Sequence, residues 1–96
     1  MFDKMKQMME FKKQAEQIKK DLEATEVEVR DVPGIAVIVN GAQDFRSIEI
    51  DPDRLQAGEK ARLEQDLLQA VNKAVKKSQE LATKKMSSMI PSGFGF

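Results

Sequence analysis

The strand predicted at residues 35–39 (Ile-Ala-Val-Ile-Val) constrains the fold most, because it is apolar on both faces. A Pro-Gly pair at 33–34 precedes it and an Asn-Gly pair at 40–41 follows it. Both pairs are turn signals, the second because both of its residues tolerate positive φ. The flanking segments 25–31 and 45–51 alternate apolar and polar residues with a period of two, as strands do. Three strands joined by short turns predict an antiparallel meander.

Long helices are predicted on both sides of this meander. Residues 3–24 lack Gly and Pro, and residues 59–86 carry a wider apolar band, typical of a helix that packs on a sheet. The apolar side chains of the first helix recur in steps of three and four, at Met8, Phe11, Ala15, Ile18 and Leu22. Between sheet and second helix, Asp51-Pro52 predicts a short helical turn with Asp as its cap.

This order predicts an α+β fold, a helix followed by a three-stranded antiparallel sheet and a second helix. We expect one α-β-β-β-α domain over residues 1–86. Residues 87–96 lack periodicity and predict a flexible C-terminal tail.

A homodimer is expected because a chain of 96 residues without cysteine has little core and no disulfide. One helix covers only part of three strands, so a monomer would expose apolar side chains or an unpaired strand edge. A two-fold pairing of sheets removes this exposure. The predicted interface consists of Ile35, Val37, Val39, Ile48 and Ile50.

Charge is sorted along the chain although it sums to zero. Residues 1–20 carry a net +3, residues 21–72 a net −7 and residues 73–96 a net +4. If both helices point away from the sheet, their basic ends lie far from an acidic centre and can meet a polyanion. The basic residues of both terminal segments are all lysines, which suit phosphate contacts rather than the reading of base edges. The alternative is a solvated lysine face that balances nearby acids.

Catalytic motifs are absent from the sequence. Without histidine or cysteine there is no Ser-His or Cys-His nucleophile, and there is no P-loop or GxGxxG motif. Asp51 and Asp53 could ligate a hard cation, but a helix cap followed by a solvated acid is the simpler interpretation. We expect no enzyme, no cofactor, no metal site and no small-molecule substrate.

The N-terminus shows no secretory signal, and no apolar run approaches the roughly 20 residues of a membrane span. We therefore expect a cytoplasmic protein without a membrane partner.

Four segments carry a resemblance to a known family. They are the opening Met-Phe with its Met-, Lys- and Gln-rich helix, residues 39–42 (Val-Asn-Gly-Ala), residues 48–52 (Ile-Glu-Ile-Asp-Pro) and residues 89–94 (Met-Ile-Pro-Ser-Gly-Phe). Together they resemble the YbaB/EbfC family of bacterial nucleoid-associated proteins over nearly the whole chain. The chain departs from the family's pattern in its Pro-Gly turn, its Pro-Ser-Gly tail and its neutral charge.

The resemblance implies a tweezer-like homodimer with protruding helical arms. It also implies binding to double-stranded DNA in the nucleoid, in nucleoid organisation or gene regulation. The arms of the family are thought to grip DNA, which implies DNA contacts at Lys4, Lys6, Lys12, Lys13, Lys76, Lys77, Lys84 and Lys85.

Two functions remain open at this point. The first is DNA binding with low sequence specificity. The second is a protein-interaction adaptor, without DNA binding, that uses an adaptable methionine surface at Met1, Met5, Met9, Met86 and Met89. A structural dimer whose lysines only keep it soluble is a third and weaker idea.

Overall fold

The computed structural model describes the backbone of residues 2–89 and the side chains of residues 3–88. The expected α+β order is confirmed, with a three-stranded antiparallel sheet in the order β1-β2-β3. The elements are α1 (Phe2–Ala24), β1 (Glu26–Val29), β2 (Ile35–Asn40), β3 (Phe45–Ile50), a 3-10 turn (Pro52–Arg54) and α2 (Lys60–Met89). Helix α2 therefore includes the first three residues of the predicted tail, and residues 90–96 lie outside the described part of the chain.

The core lies between one face of the sheet and α2. Helix α2 packs on β1 and β2, where Val29, Val37 and Val39 are fully buried against Ala70 and Ala74. The two alanines let the helix approach the strands closely, and each fully buried valine contributes about 1.5–3 kcal/mol.

Strand β3 is the part of this face that α2 leaves uncovered. Register places Ile50 beside Ile35, Ile48 beside Val37 and Phe45 beside Val39, all on the α2 side of the sheet. Phe45 is 42% exposed and Ile48 is 46% exposed.

The predicted dimer interface is therefore corrected in part. Ile35, Val37 and Val39 belong to the core of their own chain, beneath α2, and are not available to a partner. The sequence could not decide this, because β2 is apolar on both faces. Ile48 and Ile50 remain accessible or half-buried.

The opposite face of the sheet is acidic at its margins. Ala36 is buried and Ile38 is half-buried in its middle, while Glu26, Glu28 and Glu49 on the outer strands are exposed. The negative central segment of the sequence thus becomes a negative surface away from α2.

The turn between β2 and β3 falls where it was predicted, but for another reason. Gln43 carries the positive φ of 67°, and neither Asn40 nor Gly41 does. Residues 41–43 form a three-residue loop, whose last position is usually left-handed. Asn40 serves instead as a hydrogen-bonding centre.

Both helices extend past this turn. Ser78 of α2 donates a 2.8 Å hydrogen bond to the Asn40 carbonyl, and Leu81 and Leu22 both lie against Gly41. From there α1 continues for about 30 Å and α2 for about 12 Å, at the rise of a regular helix. The molecule is accordingly elongated, with extents of 68 × 24 × 15 Å.

Candidate nucleic-acid interface

The protruding part of α1 has three distinct sides. At about 100° per residue, the apolar stripe from Met8 to Leu22 occupies one side. Next to the apolar stripe lies a second side, which carries acidic and amide side chains: Asp3, Gln7, Glu10, Gln14, Gln17 and Asp21. The remaining side, which we call the basic sector, carries Lys6, Lys12, Lys13, Lys19 and Lys20. Met5, Met9 and Glu16 also lie within it.

Within the basic sector the lysines form two lines. Lys6, Lys13 and Lys20 are spaced by seven residues, which is about 10 Å along the helix, and Lys12 and Lys19 repeat the same spacing beside them. All five side chains are exposed, and no ion pair joins them to a carboxylate among the described residues. This arrangement offers a polyanion two lines of positive charge, with Met5, Met9 and Glu16 between them.

The eight lysines implied by the resemblance are therefore not one site. Lys6, Lys12 and Lys13 share the basic sector, whereas Lys4 lies on the apolar side, in a groove with Met8 and Phe11. The predicted set does not include Lys19 and Lys20, although their seven-residue repeat with Lys12 and Lys13 is visible in the sequence.

The lysines of α2 are placed differently from the expectation that they lie on an arm. Lys76 and Lys77 precede Ser78, so they lie on the part of α2 that packs along the sheet. Lys84 is exposed beyond the turn, and Lys85 there is half-buried.

Two of the α2 lysines are bound by a carboxylate of their own chain. Asp31, in the loop after β1, lies 3.1 Å from the Lys73 ammonium and 3.5 Å from that of Lys77. The hydrogen bond and charge of Lys73, with the charge of Lys77, hold the pKa of Asp31 below its ordinary value. Lys77 is therefore already partly neutralised, unlike the lysines of α1.

The Asp51–Asp53 pair acts as a helix cap. The Asp51 side chain accepts a 3.0 Å hydrogen bond from the Asp53 amide, with Pro52 in the first position of the turn. Across the described residues, no group of three or more acidic side chains is arranged to hold a metal ion. None of the described helices is long and apolar enough to cross a membrane.

Comparison with known proteins agrees with this architecture. Residues 1–94 match the sequence model of the YbaB/EbfC DNA-binding family. A nucleoid-associated protein of Ruminiclostridium cellulolyticum is 34% identical over 92 residues, which cover 95% of this chain and 79% of the relative. One from Moorella thermoacetica is 33% identical over 86 residues, covering 88% and 83% of the two chains. Since the family match spans nearly every residue, the chain belongs to the YbaB/EbfC DNA-binding family.

Proposed function

We propose that this protein binds double-stranded DNA through the basic sector of α1, without catalysis, as a nucleoid-associated protein of the cytoplasm. The observation that carries the proposal is a set of five exposed lysines, in two lines, that no described carboxylate neutralises, on an arm that extends from the body. Membership of a DNA-binding family supports DNA as the polyanion that these lysines would meet.

Low sequence specificity follows from the types of residue in the sector. Lysine is a flexible point charge suited to phosphates, whereas arginine presents the fork that reads guanine. Three of the four arginines are engaged within the chain. Arg30 pairs with Glu28, Arg54 with Asp66, and Arg46 donates to the Glu23 carbonyl. The exposed basic surface thus supports backbone contacts rather than base readout.

The proposal includes a homodimer that covers β3. Phe45 and Ile48 are large exposed apolar side chains on the α2 side of an edge strand, and Leu68 of α2 is 63% exposed. A second copy placed on this surface would bury them and protect the free edge of β3. Such a dimer would carry two α1 arms on one body.

The test is a titration of fluorescently labelled duplexes, one random and one genomic, at 50 and 200 mM salt. We expect both duplexes to bind with similar affinity and both affinities to fall steeply with salt. Absence of binding at 50 mM salt, or a large preference for one duplex that persists at 200 mM, would contradict the proposal.

A second candidate function rests on the apolar side of the same arm. Met8 is 73% exposed and Phe11 is 67% exposed on this side, and the exposed Met5 and Met9 lie in the basic sector that adjoins it. This surface suits an adaptor that binds other proteins. The changes Met8→Ser with Phe11→Ser separate the two functions, because DNA binding through the basic sector should survive them, whereas an adaptor should lose its protein partner.

A further inference from the structure

We propose that Asn40 is the positioning residue that fixes the direction of the α1 arm and thereby allows its lysines to grip a duplex. The inference rests on the proposed function and adds to it a residue that touches no DNA. Asn40 is completely buried in the turn where α1, the sheet and α2 meet.

The Asn40 side chain joins the arm to the turn. Its amide nitrogen donates to the Glu23 carbonyl at 3.2 Å, one residue before the end of α1. Its amide oxygen accepts from the backbone amides of Ala42 at 3.0 Å and Asp44 at 2.8 Å. One side chain therefore satisfies a free carbonyl of the helix and holds the loop between β2 and β3.

The neighbouring carbonyl of α1 is held by the same turn. The Gly41 amide donates to the Leu22 carbonyl at 2.8 Å. A Cβ at Gly41 would lie 2.8 Å from Leu22 Cδ2 and 3.1 Å from the Leu22 carbonyl oxygen, so a larger residue would have to displace the Leu22 side chain and press on the end of the helix. The end of the arm is thus bonded to the sheet at two successive carbonyls.

Packing alone gives the arm little support. From Asp3 to Gln17 every side chain of α1 is exposed, and in the rest of the helix only Ile18 and residues 21–23 are half-buried. Apolar contact is non-directional, whereas hydrogen bonds to helix-end carbonyls set an angle. The direction of a long arm with a short packed base therefore depends on its hydrogen-bonded joint.

The variant Asn40→Asp isolates this role. A carboxylate keeps the acceptor for Ala42 and Asp44 but cannot donate to the Glu23 carbonyl, which it repels. Arg46→Met is a second variant, because Arg46 is exposed and donates to the same carbonyl at 3.2 Å. Ser78→Ala is the matched control. It removes the buried hydrogen bond from α2 to the Asn40 carbonyl but leaves the bonds to α1 intact, and the Asn40 carbonyl still accepts from the Gln43 amide.

Arm direction is measured as a distance between two spin labels. The chain has no cysteine, so Gln7→Cys on the arm and Gln69→Cys on α2 place the labels at exposed sites. Labelled protein is diluted with unlabelled protein, so that a dimer carries one labelled copy. Each variant is measured at a temperature at which circular dichroism shows it to be folded.

We expect Asn40→Asp and Arg46→Met to broaden the distance distribution and to weaken duplex binding about three- to tenfold, as the gripping orientation is populated less. Ser78→Ala should leave both unchanged. Unchanged distances in both arm variants would refute the proposal, and so would broadened distances with unaltered DNA affinity. If the unaltered protein binds no duplex, the proposed function fails, and the distances alone still decide whether Asn40 holds the arm.

Discussion

Replacing Lys6, Lys13 and Lys20 with glutamine should weaken the salt dependence of DNA binding by a calculable amount. The three residues lie on one line about 20 Å long on the exposed side of α1. A duplex presents one phosphate charge per roughly 1.7 Å of axis, so a line of this length meets enough phosphates for each lysine. Each neutralised phosphate contributes about 0.9 to the slope of log affinity against log salt, which gives about 2.7 per arm.

Fluorescence anisotropy between 50 and 200 mM salt measures this slope. A slope of about 2.7 over a fourfold change in salt corresponds to a loss of affinity of roughly 40-fold. If one arm engages DNA, the affinity of the triple variant should fall by roughly 40-fold less than that of the unaltered protein over the same change in salt. A dimer that engages both arms would show twice the change in slope. The matched control replaces Arg30, Lys60 and Arg62 with glutamine, an equal change in net charge on residues outside the arm. Equal slopes for the two triple variants would show that total charge, not the arm, determines binding.

Three further predictions concern the loop after β1, the turn and the exposed strand. The pKa of Asp31 is below its ordinary 3.8, so the ionised carboxylate stabilises the fold above about pH 4. This stabilisation is lost as the pH falls through the pKa of Asp31 in the folded protein. An NMR titration should show the low pKa, and Lys73→Gln should raise the pKa of Asp31. Gln43→Gly should raise the melting temperature by about 2–4 °C in calorimetry, because it relieves a left-handed backbone, and an unchanged or lower value would contradict that reason. Ile48→Glu should convert a dimer into a monomer in sedimentation equilibrium, and a persistent dimer would place the interface elsewhere.

The sequence predicted the elements because their signals are local. Alternation marked β1 and β3, turn pairs bounded β2, and Asp51-Pro52 marked the short helical turn, all within two or three residues of the observed bounds. The face that α2 covers was not predictable, since β2 is apolar on both sides. The choice of Gln43 for positive φ depends on loop length and strand register rather than on the intrinsic preferences of Asn and Gly.

The candidate site was predictable only where it lies on a single helix. The spacing of Lys6, Lys13 and Lys20 is a property of α1 alone and can be read from the sequence. The pairing of Lys77 with Asp31 joins residues 46 apart, and it depends on how α2 lies across the sheet. For the same reason, the role of Asn40 as a joint could not be inferred from its place in a turn motif.

The zero net charge of the chain does not oppose DNA binding, because charges act over the screening length. At physiological ionic strength this length is about 8 Å, whereas Lys6 lies about 24 Å along α1 from Leu22 at the base of the arm. Glu26, Glu28 and Glu49 on the outer face of the sheet are thus several screening lengths from the end of the basic sector. A duplex that touches the arm would meet five lysines, with Glu16 among them, and only a weakened repulsion from the acids of the sheet. Under the proposed function, the acidic sheet would limit how far DNA can approach and would restrict binding to the arm instead of preventing it.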